Sequence, residues 1–277
     1  INRRGQQCPC HQGNKMDLHN YELIIINSSA GKDSLCSIFE ICRMADDQFY
    51  PKHKIVVSHQ DLGEMEWEGT RELAGKQAAD FGLKIYFSKR RDKNGYEETL
   101  LEYIERRKKF PPNNQRYCTS DLKRAPGARV VTMLTKGLGE CKILHVFGFR
   151  KEESPARSKK PVLAINKMLT TKKRLVHDYL PIHDWSTKYV WKIIKHNKLD
   201  YHPAYDLGMP RLSCCFCIFS PFDALVTAGK ANPELLNRYV EIENKIGHTF
   251  KAKSSIGDVK KAINDGYEPK QIMNWIM

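Results

Sequence analysis

The apolar positions of this chain change period abruptly at one place. Leu23 to Ile26 is an unbroken apolar run of the kind a strand buried on both faces shows. It ends in the small polar stretch Ser28 to Ser34. Beyond Asp33, apolar residues recur at Leu35, Ile38, Phe39 and Cys42, the i, i+3, i+4, i+7 spacing of one helix face. The stretch therefore reads strand, loop, helix. A loop of this build offers free backbone N–H groups at a helix N-terminus, where the dipole also favours negative charge, so it is a natural phosphate seat.

The same alternation continues. Lys54 to Ser58 predicts a second buried strand ending at Asp61-Leu62-Gly63, Trp67 to Phe81 a helix, Lys84 to Phe87 a third strand, and Glu97 to Lys108 a helix with a basic end. A basic helix is expected to start after Arg116-Tyr117-Cys118, with Thr119 or Ser120 as N-cap. Lys142 to Phe147 reads as a central strand, Arg174 to Tyr179 as an edge strand, and Thr187 to Asn197 as a helix. Tyr201 to Phe219 is loop-like. Three further helices follow at Asp223 to Lys230, Pro233 to Ile246 and Ile256 to Asp265. Strands alternating with helices predict an α/β fold with a doubly wound, mostly parallel sheet, whose ligands sit outside the carboxyl ends of the strands. The expected division is a flexible leader over 1–15, an α/β domain over 16–200, and a cysteine-containing loop with C-terminal helices over 201–277.

Charge narrows the class of partner. The 277 residues carry 46 Lys and Arg against 32 Asp and Glu, a net of +14, which suits a polyanion such as nucleic acid. No apolar run reaches the roughly 18 residues of a membrane helix, and no signal peptide is seen, so the expected location is the cytoplasm with no membrane partner. Nine cysteines, an odd number, argue for thiol or metal chemistry over a disulfide framework. Cys36, Cys42 and Cys141 fall on apolar faces and are expected in the core, as are Trp185 and Trp191. The sequence opens on Ile1 and reaches its first methionine at Met16, hence the expectation of a leader; Cys8, Cys10 and His11 lie in it.

Ser28-Ser29-Ala30-Gly31-Lys32-Asp33-Ser34 lacks the first glycine and the spacing of the G-x-x-x-x-G-K-S/T phosphate loop. It closely resembles the SGGKDS loop of the PP-loop N-type ATP pyrophosphatases, a group that includes the phosphoadenosine phosphosulfate (PAPS) reductases, tRNA-thiolating enzymes and sulfurtransferases of DNA phosphorothioation. Ala30 stands where that loop usually has glycine. Asp61-Leu62-Gly63 resembles the group's D-T-G segment near the adenosine, and Arg116, Cys118, Lys123 and Pro126 are similar to the Arg/Cys/Lys/Pro segment of the PAPS reductase branch. Gly148-x-Arg150 with Glu153, Ser154 and Arg157 resembles that branch's G-x-R-x-x-x-S-x-x-R anion-binding segment, where arginine's planar fork suits phosphate or sulfate.

The resemblance implies an adenine nucleotide alpha hydrolase-like, Rossmann-like fold. It also implies ATP and Mg2+ as ligands, with Ser28 to Ser34, Asp61, Lys123, Arg150 and Arg157 around the nucleotide and Lys32, Asp33 and Asp61 in the chemistry. Cys214, Cys215 and Cys217, with Cys118 as a distant fourth thiol, read from the residues alone as either a zinc or an iron–sulfur site. The resemblance implies a 4Fe-4S cluster on Cys118, Cys214 and Cys217, with Cys215 as a fourth ligand or a free thiol. Sulfonucleotide reductases of the group carry a nucleophilic cysteine in an E-C-G-L-H context, and no cysteine follows Cys217 here. The expected function is therefore ATP cleavage to AMP and pyrophosphate, activating an acceptor for sulfur transfer. The nearest likeness is to DndC-type DNA-phosphorothioation proteins, with DNA favoured over tRNA and a cysteine desulfurase as sulfur donor. The alternatives are a PAPS or APS reductase, a tRNA-thiolating enzyme, and an inactive nucleic-acid-binding module.

Overall fold

The computed structural model describes residues 16–251 and 254–272; the leader with Cys8, Cys10 and His11 lies outside them. Six strands, β1 (Leu23–Ser28), β2 (Ile55–Gln60), β3 (Lys84–Ser88), β4 (Cys141–Val146), β5 (Leu163–Ile165) and β6 (Arg174–Tyr179), form one sheet. Its order is β3-β2-β1-β4-β6-β5. All neighbours run parallel except β5, which pairs antiparallel with β6. The fold is thus the doubly wound, mostly parallel α/β architecture that the alternation implied. One expectation is corrected: β6 is not an edge strand. The short β5, whose Leu163 and Ile165 are largely exposed, covers it and takes the edge.

β1 occupies the middle because its residues are apolar on both faces. Ile24 and Ile26 join one core with Leu35, Ile38 and Cys42 of α1 (Lys32–Asp47) and Ala78 of α2 (Thr70–Asp80). Leu23 and Ile25 join the other core with Val131. α3 (Leu100–Arg107) begins later than the apolar pattern alone indicated. Thr99 and Glu102 form a reciprocal cap there, with Thr99 N–H donating to Glu102 Oε2 at 2.7 Å and Glu102 N–H to Thr99 Oγ1 at 3.3 Å.

The segment after Arg116 departs from expectation in an informative way. Helix starts at Tyr117, so Thr119 and Ser120 lie inside it and do not cap it. Tyr117–Thr119 passes through a π-helical turn, Ser120–Arg124, into α4 (Ala125–Thr135). Pro126 supplies the reason. A proline inside a helix removes one N–H and crowds the carbonyl of the preceding turn, and a widened turn relieves that clash. Lys123 sits in the widened turn.

α5 (Thr187–His196) lies against α1, and its Val190 and Ile194 are buried. A strap without regular strand or α-helix then runs from Tyr201 to Phe219, crossing the carboxyl edge of the sheet, before α6 (Phe222–Ala231), α7 (Pro233–Ile246) and α8 (Ile256–Asn264). These helices share one apolar core with Met65, Trp67, Leu101, Phe110 and Tyr117. Among the described residues no helix is long and apolar enough to cross a bilayer.

Candidate functional site

The loop between β1 and α1 is held mostly by its own hydroxyls. Ser29 N–H donates to Ser34 Oγ at 3.2 Å, Ala30 N–H to Ser28 Oγ at 3.1 Å, and Ser34 Oγ–H to the Gly31 carbonyl at 2.9 Å. Ala30 is fully buried and has φ of 56°, a left-handed conformation that explains why glycine is usual there in the loops it resembles. The loop is roofed by the strap. Tyr205 Oη accepts from Lys32 N–H at 2.9 Å and also from the Leu212 amide, and burial pushes its phenol well above the ordinary tyrosine range.

β1 and β4 carry connections to opposite parts of the sheet, so the crevice between their carboxyl ends is the topological switch point where ligands of such folds bind. The chain after β4 touches α1 there. A Cβ on Gly148 would lie 2.7 Å from the Asp33 carbonyl oxygen, so only glycine lets the two backbones meet. Two residues on, Arg150 is 3% exposed; its Nε–H donates to Asp33 Oδ1 at 2.6 Å and its Nη1 to the Trp185 carbonyl at 3.2 Å. Burial works against the charge of Arg150, but the Asp33 carboxylate outweighs it and holds the guanidinium above its ordinary value. Lys32, also 3% exposed, donates to Asp33 Oδ2 at 3.1 Å and to the Pro210 carbonyl at 2.9 Å. Glu153 lies beside this cluster. It accepts from Arg150 N–H at 2.9 Å, pairs with Arg157, and pairs with Arg211 at 3.1 Å. The Arg157 guanidinium stacks 4.5 Å from the Phe149 ring centroid.

Asp61, at the carboxyl end of β2, is 6% exposed and answered by Arg71, by Lys89 at 3.6 Å and by Gly63 N–H at 2.8 Å. Burial acts to raise its pKa; the Gly63 amide, Lys89 and Arg71 prevail and hold it below the ordinary carboxylate value. Asp61, Gly63, Trp67, Arg71, Lys89 and Leu235 belong to the lining of a cavity of about 370 Å3. A larger cavity of about 430 Å3, among α6, α7 and α8, contains none of the expected site residues. Both oxygens of Asp33 and of Asp61 are thus already engaged, and the pair does not fit a Mg2+ ion held by protein carboxylates.

The strap delivers the thiols. Cys118, Cys214 and Cys217 are partly buried against the helical core and lie close enough for their charged forms to repel one another. Burial raises the Cys118 thiol and pushes Cys214 up to about 12. Lys123 is exposed by surface area, yet its ammonium end faces the same three thiols. Desolvation there acts to lower its pKa, and Cys214, Cys118 and Cys217 outweigh it and raise the pKa. Cys215 is a correction. It is fully buried in the apolar core near Tyr239, and its N–H donates to the Met65 carbonyl, so it turns away from the other three. Among the described residues no three His, Cys, Asp or Glu side chains stand at metal-holding distance. The four-cysteine set does not fit an iron–sulfur or zinc group.

Cys36, Cys42, Cys141 and Trp185 are core residues, as the pattern implied. The structure brings Lys32, Asp33, Arg150 and Arg157 together at the switch point and sets Asp61 one strand away. Two residues of the site carry no sequence signal. Tyr205 sits in a loop-like stretch, and Arg211 is only the residue before Leu212-Ser213-Cys214.

Residues 24–220 match the phosphoadenosine phosphosulfate reductase domain. Over 79 residues the chain is 39% identical to a phosphoadenosine 5'-phosphosulfate reductase of Pectobacterium carotovorum, covering 28% of this chain and 30% of that protein. Over 194 residues it is 27% identical to an uncharacterized protein of Methanocaldococcus jannaschii, covering 70% of this chain and 36% of that one. The chain therefore spans about a third of the length of these relatives. A solved phosphoadenylyl-sulfate reductase of Candida auris, in a phosphate complex, is similar with a TM-score of 0.44 and 19% identity, covering 69% of this chain and 80% of that one.

Proposed function

The chain belongs to the phosphoadenosine phosphosulfate reductase domain family, and from that premise we propose that it splits ATP to AMP and pyrophosphate to activate a nucleic-acid acceptor, DNA before tRNA, for sulfur transfer. One observation carries the reading. Lys32 of the phosphate loop is bonded both to Asp33 and to the Pro210 carbonyl, on the same strap that brings Cys214 and Cys217. Phosphate chemistry and thiol chemistry therefore share one element.

In this reading an acceptor oxygen attacks the α-phosphorus and pyrophosphate leaves. Loop amides, Lys32, Arg150 and Arg157 neutralise the charge that develops on the leaving group, preorganised in a site largely closed to water. Asp33 holds Lys32 and Arg150 in register, and the cavity beside Asp61 receives the adenosine. The sulfur would be carried on the Cys214 or Cys217 thiol after loading by a cysteine desulfurase, and the +14 chain suits a nucleic-acid acceptor.

The test is release of AMP and pyrophosphate from ATP with DNA, with tRNA and with neither. Lys32→Ala is expected to lower turnover by about 10²-fold or more. No pyrophosphate under any of the three conditions would end the ATP reading. A second reading, reduction of a sulfonucleotide, is favoured by the local identity to the Pectobacterium reductase. Sulfite release from a sulfonucleotide in the presence of a dithiol reductant would select it.

A further inference from the structure

We infer that Arg211 completes, with Arg157 and Arg150, an anion seat on the β4 side of the switch point, built for a tetrahedral phosphate or sulfate group. The inference deepens the reading of a nucleotide-phosphate enzyme and rests on it for the class of ligand. The geometry starts from Glu153, whose side chain is 6% exposed and whose oxygens are fully engaged. Oε1 pairs with Arg211 Nη2 at 3.1 Å, while Oε2 pairs with Arg157 and accepts from Arg150 N–H. Arg211 Nη2 also donates to the Glu153 carbonyl at 3.2 Å. One carboxylate thus holds one edge of the cluster. Arg211 Nη1 remains, closed to solvent and without a hydrogen-bond acceptor.

A buried guanidinium nitrogen with no acceptor is costly, and such groups are satisfied in folded proteins unless a ligand is due. The surroundings say which ligand. Arg157 and Arg150 crowd Arg211 with like charge, Glu153 and Asp33 only partly offset them, and burial adds to the cost; together these hold the Arg211 pKa below its ordinary value. Arg157, fixed by its stack on Phe149, presents a second planar fork. Forks of this kind match the oxygens of a tetrahedral oxyanion. A merely structural salt-bridge network would pin the strap to the sheet but would leave no donor over.

Binding of inorganic phosphate, sulfate and pyrophosphate, measured by calorimetry on the full chain, tests the seat. Arg211→Lys keeps the charge and loses the fork, and is expected to bind phosphate or sulfate about tenfold more weakly while unfolding normally. Lys32→Ala should weaken pyrophosphate and spare the smaller ions. Where Arg211→Lys fails to fold, Arg157→Gln serves instead, with the same tenfold loss expected. Competition by ATP against phosphate assigns the seat to a nucleotide phosphoryl group; selective displacement by sulfate assigns it to a sulfonyl group. A folded Arg211→Lys protein with unchanged affinity for both ions, or a parent protein that binds neither, overturns the inference. Loss of oxyanion affinity in a protein that does not turn over ATP leaves the seat standing and removes the ATP reading alone.

Discussion

Replacing Gly148 by alanine puts a Cβ 2.7 Å from the Asp33 carbonyl oxygen, 2.8 Å from its carbon and 2.9 Å from the Ser34 nitrogen. All three are backbone atoms of the first turn of α1, so no side chain can swing aside. Contact tighter than 3.4 Å is already uncommon, and the difference between 3.4 and 2.7 Å means that one segment must retreat by about 0.7 Å. Gly148 does not have a left-handed φ, which makes the effect purely steric. Overpacking of this kind costs about 1–3 kcal/mol, and each kcal/mol lowers Tm by about 2–4 °C in a chain of this size. The effect on the site should be larger than the effect on the fold. The Arg150 to Asp33 bond of 2.6 Å spans the same gap, and a misplacement approaching 1 Å can lower a rate by about 10²-fold. The assay pairs denaturant unfolding with pyrophosphate binding and ATP turnover. Gly31→Ala is the control, because its Cβ would meet only the Tyr205 hydroxyl at 3.2 Å and the Ser29 hydroxyl at 3.3 Å before ordinary contacts, and side chains can yield. A Gly148→Ala protein with the parent's stability, affinity and turnover would refute the claim that this backbone contact organises the site.

Three further outcomes follow from the same geometry. Asp61, held below its ordinary value of 3.8, contributes stability that is full above that pH and is lost as pH falls through the lower folded value; Asp61→Asn should lower Tm near neutrality and flatten its acid decline, and an unchanged profile would count against the Arg71 and Lys89 pairing. Cys215→Ser buries a hydroxyl in the apolar core and should cost about 1–3 kcal/mol in unfolding measurements, whereas Cys214→Ser should leave stability within about 1 kcal/mol and remove thiol chemistry. Ala30→Gly relieves about 1–2 kcal/mol of left-handed strain but gives up a buried methyl and adds chain entropy, so the net change should stay under about 1 kcal/mol; a loss above about 2 kcal/mol would show that the methyl packs against something essential.

The sequence by itself determined what is local. Four consecutive apolar residues from Leu23 make a strand buried on both faces, the serines and Gly31 make a loop at a helix start, and the spacing from Leu35 to Cys42 makes the helix behind it. Each of these follows from side chains a few residues apart. The tertiary structure decided which loops meet. Arg150 reaches Asp33 across 117 positions, and Lys32 reaches Pro210 across 178, because β1 and β4 are neighbours in the sheet and the strap crosses their carboxyl ends. The same long-range packing turned Cys215 into the core, although it lies between two cysteines that face Lys123. It moved β6 inward under a three-residue strand too short to announce itself. It also left Arg211 with an unmatched nitrogen beside Glu153. Periodicity encodes which face of an element is apolar, but the choice of partner depends on strand order and on the packing of distant segments, and no spacing along the chain records that.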